Sequence, residues 1–118
     1  MRRHNFYRVL MISIDEFGNV DIRVARVLEV EDLPGARKPL YKIRLDLGEL
    51  GTREVAAGIK EHYAPDQLRG KSVLVVANLE AKSIAGFLSQ GMILAVDTDT
   101  GISLIVPDSD AKPGAKVR

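Results

Sequence analysis

Residues 71–96, KSVLVVANLEAKSIAGFLSQGMILAV, decide how the rest of the chain is read. The apolar run 73–77 is bounded by Gly70 before and Asn78 after. It is far too short to cross a membrane, and its β-branched content suits a buried strand. The run 92–96 has the same character and is expected to form a second buried strand. Between them, segment 78–91 is polar and punctuated by glycine, and it holds Asn78, Lys82, Ser83, Ser89 and Gln90. Two buried strands holding a polar loop make a binding rim on a β-barrel, because loops carry function on rigid scaffolds. An ordinary surface connection between two strands would carry the same pattern.

The composition sets limits around that stretch. A chain of 118 residues and 13.0 kDa is one domain by length. Its 46% hydrophobic and 28% charged residues describe a globular protein with material for a core. A net charge of +1 does not mark a nucleic-acid binder, so a polyanion would have to meet a local basic face. The absence of cysteine excludes a disulfide, a thiol nucleophile and a cysteine-based zinc site. The two histidines, His4 and His62, lie far apart and do not suggest a metal site. No apolar run approaches the roughly 20 residues of a membrane span. The start, MRRHNFYRVLMISI, places basic residues before apolar ones, but Asp15 and Glu16 follow at once without a small-residue cleavage site. The chain is therefore read as cytoplasmic, with residues 1–11 an N-terminal extension and residues 12–118 the domain.

Taken in order, residues 14–20 suggest a helical turn. In 21–31, DIRVARVLEVE, Ile22, Val24, Leu28 and Val30 alternate with Arg23, Ala25, Val27 and Glu29. That mixed alternation predicts a long bent strand with the first set on one face. The stretch 33–39, LPGARKP, is a loop, since proline fixes φ and lacks an N–H. Segment 40–47 alternates cleanly, with Tyr41, Ile43, Leu45 and Leu47 facing one way. A turn at 48–51 leads to a third strand over 53–59, whose Ala56, Ala57 and Gly58 leave little side-chain bulk. Such residues mark the close approach of a backbone or ligand, or a tight barrel corner, and the corner is the simpler reason. A helix or paired turns around Pro65 are expected over 60–68, a turn over 97–101, a strand over 102–106 and a loop over 107–114.

The segment NLEAKSIAGFLSQGMILA resembles the signature of the tRNA-binding domain family, N-L-x-P-(K/R)-x-(L/I)-x-G-x-x-S-(E/Q)-G-M-x-L-A. Its clear departure is Ala81, where the family often has proline. DIRVARV is similar to the opening strand of that family, and the resemblance covers roughly residues 14–118. The family includes the C-terminal domain of methionyl-tRNA synthetases, stand-alone tRNA-binding proteins and the CsaA chaperone. The resemblance implies an all-β fold with a short helix: an OB-fold, a five-stranded Greek-key barrel, with a C-terminal strand extension. It also implies a homodimer built partly on 100–118, and a synthetase as a further partner. The strand order read from the residues, with a helix between the third and fourth strands, agrees with an OB-fold, which binds oligonucleotides through its open face.

No catalytic constellation stands out. Asp97, Asp99, Asp108 and Asp110 fall in turn-like segments that explain them, and no glycine-rich phosphate loop is present. The reading is of a non-enzyme without cofactor or metal. Arg37, Lys38, Lys42, Arg44 and Arg53 cluster around the second and third strands, and Lys82 lies in the polar loop. Converging beside one groove, they would neutralise phosphates; charges on the exposed face of any strand look the same. The resemblance places an RNA site on Asn78, Lys82, Ser89 and Met92, with Arg37, Lys38, Gly58 and Gln90 nearby. Asn78, Ser89 and Met92 are then expected to hold an unpaired nucleotide. Alternatively, Asn78 caps a turn, Ser89 bonds backbone, and Met92 is core. Aromatic residues are 5% of the chain, which disfavours a general single-strand binder and favours a folded RNA read by shape. PGARKPLYKIRLDLG resembles the CsaA form of its loop, whereas VAAGIKEHY and LSQGM resemble the synthetase type, so a peptide-binding chaperone is the alternative.

Overall fold

Strand β1, Ile22–Asp32, is the longest element and the one on which the others are hung. The computed structural model describes residues 10–118; most of the extension over 1–11 lies outside the described residues. Antiparallel pairing joins β1 to β4, Ser72–Val76, through its first half and to β2, Tyr41–Asp46, through its second. One long strand can serve two neighbours because it bends at a bulge between Val27 and Glu29. β3, Thr52–Ala57, pairs with β2, and β7, Met92–Ile93, pairs with β4. The resulting sheet, β3-β2-β1-β4-β7, curls until its two ends meet. β3 is joined to the chain just before β7 by Gln90 N donating to Glu54 O at 2.8 Å. This is the nearly closed five-stranded antiparallel barrel that an OB-fold requires.

The bulge corrects the face assignment on β1. Ala25 and Val27 are buried, and after the extra residue Leu28 the phase resets so that Val30 is buried as well. Ala25, Val27 and Val30 join the core; Val24 is buried outside it, where the C-terminal tail crosses. That tail takes the edge of β1 that β2 leaves free: Val24 N donates to Ala115 O at 2.9 Å and Val117 N to Ile22 O at 2.9 Å. The core itself is aliphatic, with Ile43, Leu45, Leu47, Val55, Leu68 and Val73 at 0% exposure. Each such side chain contributes about 1.5–3 kcal/mol relative to exposure.

Two short helices lie outside the barrel. α1, Ile14–Phe17, is started by a reciprocal cap: Glu16 N donates to Ser13 Oγ at 3.0 Å and Ser13 N to Glu16 Oε1 at 2.9 Å. α2, Pro65–Leu68, has proline in its first turn, where no N–H is missed, and buries Leu68 under the barrel.

The run 92–96 is not one buried strand. Leu94 ends β7, and the chain leaves the barrel to form β8, Ala95–Thr98, which pairs only with β9, Gly101–Leu104. Met92 and Val96 are accordingly 49% and 47% exposed. The third and last strands are likewise a residue or two away from 53–59 and 102–106. The β8–β9 ribbon is tied back by Tyr63, whose hydroxyl accepts from Leu104 N at 3.0 Å. At Gly91, with φ of 132°, a side chain would stand 2.8 Å from Val76 O, so only glycine lets the chain pass between β3 and β4 here.

Candidate nucleic-acid interface

The segment expected to be a plain polar loop contains a hairpin. β5, Lys82–Ile84, and β6, Phe87–Ser89, are antiparallel around a turn in which Ala85 and Gly86 both have positive φ, 47° and 91°. A two-residue turn with both central residues left-handed matches the twist of the strands it joins. The hairpin is fastened to the barrel by one side chain: Ser89 Oγ accepts the Ala56 amide of β3 at 2.9 Å.

That bond sets a row of residues side by side. Lys42 on β2 is opposite Ala56 on β3, Ala56 is bonded to Ser89, and Ser89 is opposite Lys82 on β5. Small residues lie in the middle of the row and beside it. A Cβ built on Gly58 would meet only Leu40 Cδ2, at 3.6 Å. That is ordinary van der Waals contact, so no backbone crowds Gly58 and the tight corner expected from sequence does not explain the glycine there. Phe87 borders the row, with Lys42 Nζ 5.3 Å from its ring centroid, a cation–π contact worth about 0.5–1 kcal/mol. Sequence reasoning missed Phe87, because nothing local links it to a lysine 45 positions earlier.

The basic residues do not all converge. Lys42 Nζ lies 3.6 Å from Glu54 Oε2, and Arg44 is opposite Glu54 on one side and Glu29 on the other. Glu31 is opposite Lys42. The outer face of β1–β2–β3 is thus a lattice of alternating charge rather than a basic patch. Arg53 turns away from it and donates to Ala77 O at 2.6 Å, joining β3 to the end of β4. Arg37 and Lys38 in the 33–40 loop, and Lys82 on the hairpin, are exposed and form no ion pair with the described residues. These three lie outside the lattice, whereas Arg44, also exposed and without an ion pair among the described residues, stands within it between Glu29 and Glu54.

Asn78, Ser89 and Met92 are placed by different demands. Asn78 Oδ1 accepts from Asp21 N at 2.8 Å and its Nδ2 donates to Asn19 O at 2.6 Å, so the side chain clips the entry of β1 to the exit of β4. Ser89 is 6% exposed, with its hydroxyl engaged by Ala56. Met92 is at the surface rather than in the core, and Gln90 is exposed beside it. Of the residues expected to hold a nucleotide, Met92 presents its side chain to solvent while the other two act first as fasteners.

Beside the Asn78 clip, the Asp21 carboxylate takes 2.7 Å from Arg23 Nε and 3.5 Å from Lys116 Nζ. The Arg23 hydrogen bond holds the Asp21 carboxyl below its usual range, against the opposing effect of burial and with help from the Arg23 and Lys116 charges. This network ties the C-terminal tail to β1 and lies outside the row. Among the described residues no group of His, Asp and Glu could hold a metal ion.

Comparison with known proteins adds to this geometry. The sequence profile of the tRNA binding domain family matches residues 22–116. The methionine–tRNA ligase of Thermococcus kodakarensis is 43% identical over 107 residues, 91% of this chain. That of Methanoculleus marisnigri is 48% identical over 108 residues, 92% of this chain. The chain spans only 14% and 16% of the lengths of these two relatives. Among solved structures, the CsaA chaperone protein of Picrophilus torridus superposes with a TM-score of 0.87 at 36% identity, covering 92% of this chain and 100% of its own. The MetRS related protein of Pyrococcus horikoshii gives 0.82 at 31%, covering 92% of this chain and 98% of its own.

Proposed function

Because the chain belongs to the tRNA binding domain family, we propose that it is a non-catalytic module that holds folded tRNA by its backbone and shape. The observation that carries this reading is the Lys42–Ala56–Ser89–Lys82 row, a small-residue surface beside Gly58 with a lysine at each end. Arg37, Lys38 and Lys82 would contact phosphates, whereas Phe87 and Met92 offer apolar surface to an unstacked base. The protein would act as a free-standing tRNA binder or as the tRNA-binding subunit of a methionyl-tRNA synthetase, in the cytoplasm. We include a homodimer in the proposal. Ile12, Ile14 and Phe17 are 61%, 81% and 42% exposed, and Val96 on the β8–β9 ribbon is 47% exposed, apolar surface that a second copy would cover.

A second reading is favoured by one observation: the CsaA structures match over 92% of the chain, at TM-scores of 0.87 and 0.85. A gel shift of the purified protein against total tRNA, single-stranded RNA and an unfolded polypeptide separates the two. Retardation of tRNA at the lowest protein concentration supports the tRNA reading. Preference for the polypeptide overturns it in favour of a chaperone.

A further inference from the structure

At the centre of the face assigned above to RNA stands a carboxylate. Glu54 lies on β3 directly opposite Arg44 and 3.6 Å from Lys42 Nζ, so one acid pairs with Lys42 and stands at the strand position facing Arg44. Its side chain keeps 43% of its exposure and Lys42 keeps 30%, which leaves the pair within reach of an incoming phosphate. Glu29 and Glu31 complete the pattern from β1, each opposite one of the same two bases.

An exposed ion pair of this kind adds little to stability, so its worth to the fold is small. Its effect on a polyanion is not. A phosphate laid over Lys42 or Arg44 must displace Glu54 or bear its repulsion at close range. Among the described residues, Arg37, Lys38 and Lys82 have no such partner. A rigid, folded RNA can touch separated rim cations while its backbone arches over the middle. A flexible single strand has no such arch and gains only by lying flat.

We infer that Glu54 is a specificity-determining residue: by pairing with Lys42 and facing Arg44 with a negative charge, it excludes generic single-stranded RNA from the face while leaving Arg37, Lys38 and Lys82 to a folded one. The inference rests on the RNA-binding reading and sharpens it. Its physical content is that binding discriminates by building repulsion against the wrong partner as well as attraction for the right one.

The test is Glu54→Gln, which keeps shape and the capacity for a neutral hydrogen bond. Affinities of parent and variant for folded tRNA and for an unstructured single-stranded RNA of equal length are measured from 50 to 300 mM salt. The variant is expected to bind the single strand about three- to tenfold tighter at the lowest salt. Its slope of log K against log salt should steepen by about 0.7 for each cation released. Affinity for folded tRNA should change by less than about twofold, and the melting temperature should stay within a degree or two. Indistinguishable single-strand binding by parent and variant, with the parent still holding tRNA, overturns this inference alone. So does an equal gain for both RNAs, which would make Glu54 a general charge and not a discriminator. A parent that fails to hold tRNA at any salt overturns the proposed function and this inference together.

Discussion

The side-chain oxygen of Asn78 accepts a hydrogen bond from the Asp21 amide at 2.8 Å, while the same side chain's amide donates to Asn19 O at 2.6 Å. One residue at the exit of β4 thereby fixes where β1 begins. A residue that a family motif would place in an RNA site is, in this fold, a clip between two chain segments 57 positions apart.

Removing that clip should be felt in stability before it is felt in binding. Asn78→Ala leaves two backbone groups to water, at a cost of about 1–2 kcal/mol. For a domain of this size that is a fall of several degrees in melting temperature. The tRNA affinity of the folded fraction should hardly move. An unchanged melting point with a tenfold loss of affinity would return Asn78 to the binding surface.

Asp21, the residue clipped by Asn78, gives the acid limit a specific cause. Its carboxyl is held below its ordinary value of 3.8 by the Arg23 hydrogen bond. A depressed carboxyl contributes stability that is fully present above the unfolded-state value and is lost as pH falls through the folded one. Asp21→Asn should therefore lower the melting temperature at pH 7, and the difference should shrink as pH falls below the ordinary carboxylate value and the Asp21 charge is progressively neutralised. A difference that does not shrink would show that packing, not charge, is what Asp21 supplies.

Much of this fold is written locally. The alternation of Tyr41, Ile43, Leu45 and Leu47 places β2 and its buried face without help, and the prolines of 33–39 mark the loop. What could not be seen depends on residues far apart in sequence. The bulge at Leu28 lies where β1 pairs with β2, beyond its pairing with β4, and it resets the phase so that Val30 shares the buried face of Ala25 and Val27. The apolar run 92–96 looks continuous but is divided between the barrel and the β8–β9 ribbon, which exposes Met92 and Val96. The same holds for charge. Lysines and arginines close together in sequence resemble a basic patch until the register sets Glu29, Glu31 and Glu54 among them.

Lys82 stands outside that lattice, on the hairpin rim. If it contacts one phosphate, Lys82→Ala should flatten the salt dependence of tRNA binding by about 0.7–0.9 in the slope of log K against log salt. Stability should be unaffected, since the side chain is exposed and forms no ion pair with the described residues. A parental slope in the variant would place Lys82 outside the interface.

Light scattering addresses the proposed pairing of two copies. The mass at micromolar concentration should be about twice that of the 13.0 kDa chain. Ile14→Glu, which puts a charge into a side chain 81% exposed in the single chain, should shift it toward one copy without unfolding the barrel. A parent that runs as a single copy contradicts the proposed dimer.

If the barrel holds folded tRNA through phosphates, as proposed, its affinity must depend on salt. With Arg37, Lys38 and Lys82 as contacts, log K for folded tRNA should fall with log salt at a slope of about −2 to −3. An unfolded polypeptide should bind more weakly, with no such slope. An affinity for tRNA that ignores salt, or a polypeptide held more tightly than tRNA across the same range, would contradict the account.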